Sequence, residues 1–224
     1  MLTAHSEHVH TVPSRQTMLG LHIGSRMTAV KLRAGDVLLH SPVAMTPALA
    51  DAVAEIGPVA WIVCPNVYHH LHAAPWVARF SSATLVGPRA LAKKRRDLTF
   101  GAYLDDAPGP WSADLTPLHI DGCALDETVL VHAGSRTVIA SDLTENFVDG
   151  SPHTFTNLYL KAAGIHGKPG WSRFLRFLYR DKVAARRSVD ALLEHDFDRV
   201  VIAHGDVIER DAKDALRETF AFLG

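Results

Sequence analysis

The sequence predicts an α/β layered fold with mixed sheets, and three observations carry that expectation. Short runs rich in Val, Ile and Leu alternate with longer stretches of helical period. Two pairs of runs are joined by the tight turns Ala34-Gly35 and Ala133-Gly134-Ser135, which are hairpin connections and exclude a purely parallel sheet. The chain has 224 residues, 47% apolar and 21% charged. A domain of that size buries roughly 70% of its unfolded surface without disulfides or metals as a framework. No repeat or low-complexity linker divides it, and the Pro/Gly-rich stretch 105–111 is too short to separate domains. A single domain over 1–224 is expected, with a helical insert at about 150–180.

The strand candidates, in order, are 19–23, 27–32, 36–40, 59–64, 83–86, 116–120, 127–132, 136–141 and 199–203. Each is a β-branched or aliphatic run bounded by polar or turn residues. The helix candidates are 47–56, 69–80, 89–96, 181–195 and 211–222. The first has Thr46 as its cap and Pro47 at its first position, where a missing N–H costs nothing.

Composition narrows the function classes. With 23 Lys and Arg against 24 Asp and Glu, the net charge of −1 does not suit a general nucleic-acid binder. Two cysteines, Cys64 and Cys123, make a reducing compartment the simpler setting. The first residues are polar and lack the apolar core of a signal peptide, and no apolar run approaches the ~20 residues of a membrane helix. The expected location is cytoplasmic, without an integral membrane segment.

Three apolar strands end in residues able to bind a metal. WIVC leads into Pro65-Asn66-Val67-Tyr68-His69-His70-Leu71-His72, RTVIAS leads into Asp142, and RVVIA leads into His204-Gly205. Asp142 follows His70 by 72 residues and precedes His204 by 62, so these side chains can meet only at one edge of a sheet. Singly, each has a plainer role: an Asp caps a helix, His-Gly makes a turn, and clustered histidines are solvated. Their shared strand-end position favours a site.

That order resembles the metallo-β-lactamase fold superfamily. In it a loop H-x-H-x-D-H follows a strand, a later His opens a hairpin, an Asp ends another strand, and a last His lies in a strand-end H-G motif. Here Ile139-Ala140-Ser141-Asp142-Leu143 is similar to the Asp motif, and Val201-Ile202-Ala203-His204-Gly205 to the last His motif. The strings HSPV, PNxxHH and SRTxIxSDL resemble a branch known as a domain of unknown function. The resemblance spans about 18 to 224 and implies a four-layer αββα sandwich.

It also implies a metal-dependent hydrolase of an ester, lactone or phosphoester, acting on a small-molecule substrate. This chain departs from the pattern: with His69-His70 over the family's Asp-His pair, Pro65 and Val67 stand where two histidines belong, and the intermediate His falls near Cys123. The ligands carried over are His69, His70, Asp142 and His204, enough for one divalent ion, zinc ahead of iron or manganese. A register shifted by one residue would use Asn66, Tyr68 and His70 instead. The same ligands would serve a mononuclear iron enzyme of oxygen or sulfur chemistry, and loss of one metal position would suit a non-catalytic binding protein.

Around this set, Tyr68 is a candidate catalytic hydroxyl for a developing oxyanion, and His72 and His153 are candidate additional ligands, with His166 near the latter. His40 stands in LLHSP where the family usually has an acid. Residues 161–190 hold eight Lys or Arg against two Asp. Within them Trp171, Phe174, Leu175 and Leu178 recur at helical spacing between Arg173, Arg176 and Arg180. This predicts an amphipathic helix as a lid, with Arg173 and Arg176 binding an anionic substrate; a homodimer surface or a membrane-surface helix is the alternative. The run 93–96, Lys-Lys-Arg-Arg, reads as a solvated helix end or a weak anion site.

Overall fold

The structure, a computed structural model, describes residues 1–106, 109 and 111–224, so part of the 105–111 stretch lies outside the described residues. The chain opens with β1 (Thr3–Ala4), β2 (Val9–Ser14), β3 (Thr17–Met18), β4 (Leu21–His22), β5 (Ser25–Lys31) and β6 (Val37–His40). Helix and strand then alternate: α1 (Pro47–Ala54), β7 (Val59–Val63), α2 (Ala73–Arg79), β8 (Thr84–Gly87), α3 (Arg89–Lys94) and β9 (Ala102–Tyr103). The second half has β10 (Leu115–His119), β11 (Thr128–His132), β12 (Thr137–Ile139), β13 (Glu145–Asn146), α4 (Thr154–Ala163), β14 (Pro169–Gly170), α5 (Lys182–Glu194), β15 (Arg199–Val201) and α6 (Ala212–Thr219).

These elements build two mixed sheets, ordered β1-β2-β5-β6-β7-β8-β9 and β10-β11-β12-β15. Strand periodicity sorts the core into layers. Val30, Leu38, Val63 and Val86 of the first sheet meet Leu115, Leu130 and Ile139 of the second. Their alternating neighbours Met27, Leu39, Ile62 and Leu85 turn outward onto Ala50 and Val53 of α1, Trp76 of α2 and Leu91 of α3. On the far side, Val129, Val131, Val138 and Val200 pack on Ala185, Val189 and Leu192 of α5 and Leu216 of α6. The result is the expected αββα sandwich.

The caps behave as their chemistry requires. Thr46 accepts from Leu49 N at 3.2 Å, and Asp181 accepts from Ala184 N at 2.9 Å, each satisfying an amide that the first helical turn leaves unpaired. Several elements escaped the sequence reading. The polar first residues hold no strand candidate, yet β2 pairs with β5 through six residues, with Val9, Thr11 and Val12 buried and the intervening His10 less so. In the insert, α4 falls within the helical stretch expected at about 150–180, although no helix bounds were assigned there. The expected amphipathic α-helix is instead a 3₁₀ turn at Arg173–Leu178, whose three-residue period puts Leu175 and Leu178 on one face and Phe174 and Phe177 on another.

One pairing positions the site. β12 and β15 are parallel neighbours with Ile139 opposite Val201, and the ladder continues past both strands through Ala140 N to Val201 O and Ala203 N to Ser141 O. Three residues beyond that register lie Asp142 and His204, so the two meet although 62 residues separate them.

Candidate metal centre

His69, Asp142 and His204 converge, with one ligand atom from each lying within 4.8 Å of the others. His69 Nε2 is 3.3 Å and His204 Nε2 is 3.2 Å from the same oxygen, Asp142 Oδ1. All three are mostly buried, and each is oriented by a further partner.

His204 Nδ1 lies 2.9 Å from the Gly24 carbonyl, which can only accept, so this nitrogen carries a proton and Nε2 is the one turned inward. Gly205, at φ +85, is required by its surroundings because a Cβ there would collide with the Asn146 carbonyl. Arg26 reaches the same turn from β5, donating to Ile202 O at 2.6 Å and Gly205 O at 2.7 Å.

His69 Nδ1 pairs with Ser41 Oγ at 2.7 Å, and Ser41 itself sits at φ +58, a strained backbone position for a residue with a side chain. The loop is shaped by Asn66, whose Oδ1 accepts from Tyr68 N and His69 N, both at 2.8 Å, in an Asx turn. Its amide donates to Asp142 Oδ2 at 2.7 Å. Glu127 accepts from Ser141 N at 2.6 Å and Asp142 N at 3.1 Å, holding the end of β12. The sequence names Asn66 only as a ligand of the shifted register, and it gives no sign of Ser41, Gly24, Arg26 or Glu127, since only the fold tells which polar residues face a site.

The charges are strongly perturbed. Burial opposes ionisation of Asp142, but the neighbouring His69 and the hydrogen bonds from His204 and His69 hold its carboxyl well below the usual range. Burial also opposes charge on His204, yet the bond to Asp142 and its negative charge prevail and raise its pKa. Burial and the charge of Asp142 push Glu127 up, against the amides it accepts from. Glu145, also facing this site, is pushed up to about 7 by burial, and its Oε2 has no partner among the described residues.

His70 is not part of the cluster. Arg95 Nη1, which can only donate, lies 2.8 Å from His70 Nδ1, so that nitrogen's lone pair is occupied and the proton of the neutral ring sits on Nε2. Burial, then Lys94 and Arg95, lower its pKa to about 4, which keeps it neutral. The loop thus presents His69 rather than His70 to Asp142 and His204.

A cavity of about 330 Å³ opens over the cluster. Tyr68, His72 and Glu145 line it, as do Trp171, Leu175 and Leu178 of the insert, so the insert forms one wall of the site. Arg173 and Arg176 do not. The Arg173 Nε donates to the Ala162 carbonyl with its guanidinium near the Phe174 ring, and Arg176 stacks 4.7 Å from the Phe222 ring centroid, so both are drawn to π faces and carbonyls on the outer side. His153 also lies elsewhere, stacked on His22 at 3.6 Å beside a separate cavity. His166 bridges to Phe147. Cys123 bridges to Tyr179, and both cysteines are free thiols. Among the described residues no helix is long and apolar enough to cross a membrane.

Two mixed sheets between helical layers, with a His/Asp cluster where β7, β12 and β15 end, define a metallo-β-lactamase fold. Solved structures agree. A metallo-β-lactamase from Pontibacter korlensis matches with TM-score 0.70 and 16% identity over 100% of this chain and 98% of its own. One from Hirschia baltica matches with TM-score 0.66 and 12% identity over 100% and 97%. FIM-1 from Pseudomonas aeruginosa, solved in a mono-zinc form, matches with TM-score 0.63 and 13% identity over 99% and 95%. At these identities the likeness is one of fold. No curated protein sequence matches the chain. Residues 6–169 match the family described as domain of unknown function DUF4336, nearly three quarters of the sequence, and the chain belongs to that family.

Proposed function

We propose that this chain is a single-metal hydrolase of an ester, lactone or phosphoester. The observation that carries the reading is the convergence of His69, Asp142 and His204, with the outward nitrogens of both histidines engaged by Ser41 and the Gly24 carbonyl. Two imidazoles and a carboxylate are a fitting donor set for zinc, and they leave coordination positions for water and substrate. A divalent ion held there supplies Lewis acidity and acidifies water toward neutral pH. One ion per chain is expected, because Pro65 and Val67 offer no ligand to a second and His70 is held by Arg95.

The chain's own groups would do the rest. Glu145, buried at the cavity wall with one oxygen unpartnered among the described residues and its pKa pushed up to about 7, can hold or accept a proton near the cluster. Tyr68 lines the same wall and is assigned to meet charge developing on the substrate. Trp171, Leu175 and Leu178 exclude water from one side.

The test is elemental analysis of the purified chain together with hydrolysis of aryl esters, lactones and aryl phosphates, with a β-lactam added because the structural relatives carry that name. About one zinc per chain, lost with His69→Ala or His204→Ala along with hydrolysis, is the expected result. Iron as the bound metal favours oxygen or sulfur chemistry. A metal-free chain inert to every ester class overturns the reading.

A further inference from the structure

We propose that the cavity takes an uncharged apolar acyl chain, so that the substrate is an amphiphile whose polar head lies at the His69–Asp142–His204 end. This rests on the proposed site and names the class of molecule it would accept. Three observations carry it.

The first is the composition of the walls. Beyond the cluster the cavity is bounded by Met18, Ile23, Leu125, Trp171, Leu175 and Phe177, and among the described residues no Lys or Arg lines it. A phosphate-rich or polyanionic ligand would find no counter-charge there, whereas a hydrocarbon loses its water contacts against such walls. Its polar lining is the cluster itself with Glu145, Ser25, Gln16, Tyr68, His70 and His72. The volume of about 330 Å³ is at the small end of ligand pockets and suits one chain rather than a fused polycycle.

The second is the rim. Phe177 is 72% exposed and Leu71 61% exposed, and both line the cavity, so two large apolar side chains stand in water at its mouth. Single exposed apolar residues need no explanation, but apolar residues that continue an apolar cavity outward mark where a ligand enters.

The third is the way the two walls are built. Met18, which lines the cavity, belongs to the short β3–β4 hairpin, whose turn carries Leu19, 93% exposed at positive φ. Phe177 and Leu175 belong to the 3₁₀ turn at Arg173–Leu178. Neither segment is part of the two main sheets, and Arg173 and Arg176 are held on the outer face by Ala162 O, Phe174 and Phe222. The insert therefore presents hydrocarbon to the cavity and its cations to solvent, which selects against an anionic tail and for an apolar one.

The experiment measures calorimetric binding of n-alkanols from butanol to decanol to the zinc-loaded chain and to the EDTA-treated chain. Affinity should rise about two- to fourfold per added methylene in both forms. Phe177→Asp and Leu71→Asp, at exposed positions where folding is not at risk, should flatten that dependence and leave zinc content unchanged. Cosedimentation with phosphatidylcholine vesicles would assign the acyl chain to a bilayer lipid, and its absence with the length dependence intact would assign it to a free acyl compound; either supports the proposal. Affinity independent of chain length overturns it, as does wild-type behaviour of both variants, or a stable dimer broken by Phe177→Asp with no alkanol binding. Length dependence without zinc uptake overturns the metal reading alone and leaves the acyl cavity standing.

Discussion

Asn66 donates through Nδ2 to Asp142 Oδ2 at 2.7 Å while its Oδ1 accepts from the amides of Tyr68 and His69, so one side chain folds the histidine loop and ties it to a carboxylate 76 residues away. Because the amide has a donor end and an acceptor end, no isosteric residue does both. Asn66→Ala should lower metal affinity by about 10- to 100-fold, the usual effect of removing a partner that orients a ligand, and destabilise by about 1–3 kcal/mol through unpaired polar groups. Asn66→Asp should be worse, as it places a second carboxylate against Asp142. Metal titration and urea unfolding read the two effects separately, and wild-type metal affinity in Asn66→Ala would refute the orienting role.

Arg26 fixes the other end of the site. Its two bonds to the carbonyls of Ile202 and Gly205 flank His204, and burial lowers the Arg26 pKa against the raising effect of Asp206 and Glu209. Arg26→Ala should cost about 3 kcal/mol, since two charge-assisted bonds go and two carbonyls lose their partner. Arg26→Lys should recover part of it, with one point donor for a fork. Equal loss in both variants would show that packing, not carbonyl pairing, is what Arg26 supplies.

His40 should contribute to acid sensitivity, alongside His70. Its ring is fully buried with neither nitrogen partnered among the described residues, and burial, then the neighbouring His69, lowers its pKa to about 3. The unfolded chain, with an ordinary histidine, binds a proton at higher pH than the folded one, so the folded state loses stability as pH falls from about 6.5 toward 3. At ~1.4 kcal/mol per pKa unit the loss is several kcal/mol. Chemical denaturation at pH 7 and pH 4 should show it, and His40→Leu should shrink the difference. An unchanged difference in that variant would assign the acid sensitivity to other groups.

Thiol chemistry should be slow in the native state. Burial pushes the Cys64 thiol up to about 12 and the Cys123 thiol up to about 11, so neither offers much thiolate at pH 8. Iodoacetamide should label neither appreciably in hours and both within minutes in urea. Rapid native labelling of Cys64 would mean that β7 opens locally.

The sandwich could be read from the chain because it rests on local regularities. Val, Ile and Leu runs with period two, the cap at Thr46 and the turn at Gly134 are properties of neighbouring residues, and the structure places β5, β6, β7, β11 and α5 within a residue or two of where they are expected. Asp142 and His204 were visible for the same reason, as polar residues ending apolar runs.

What the sequence could not decide was every question of which side chain faces which. His69 and His70 are adjacent and chemically identical, and only Arg95, brought in by α3, withdraws one of them. The arginines at 173 and 176 carry the right charge for an anion site but turn toward Ala162, Phe174 and Phe222 because the segment winds as a 3₁₀ turn. Glu145 gives no motif at all, and its pKa near 7 arises from burial that exists only once the layers close. Periodicity is written in neighbours along the chain. Orientation, burial and pKa are set by residues tens to hundreds of positions away, and the fold alone brings those together.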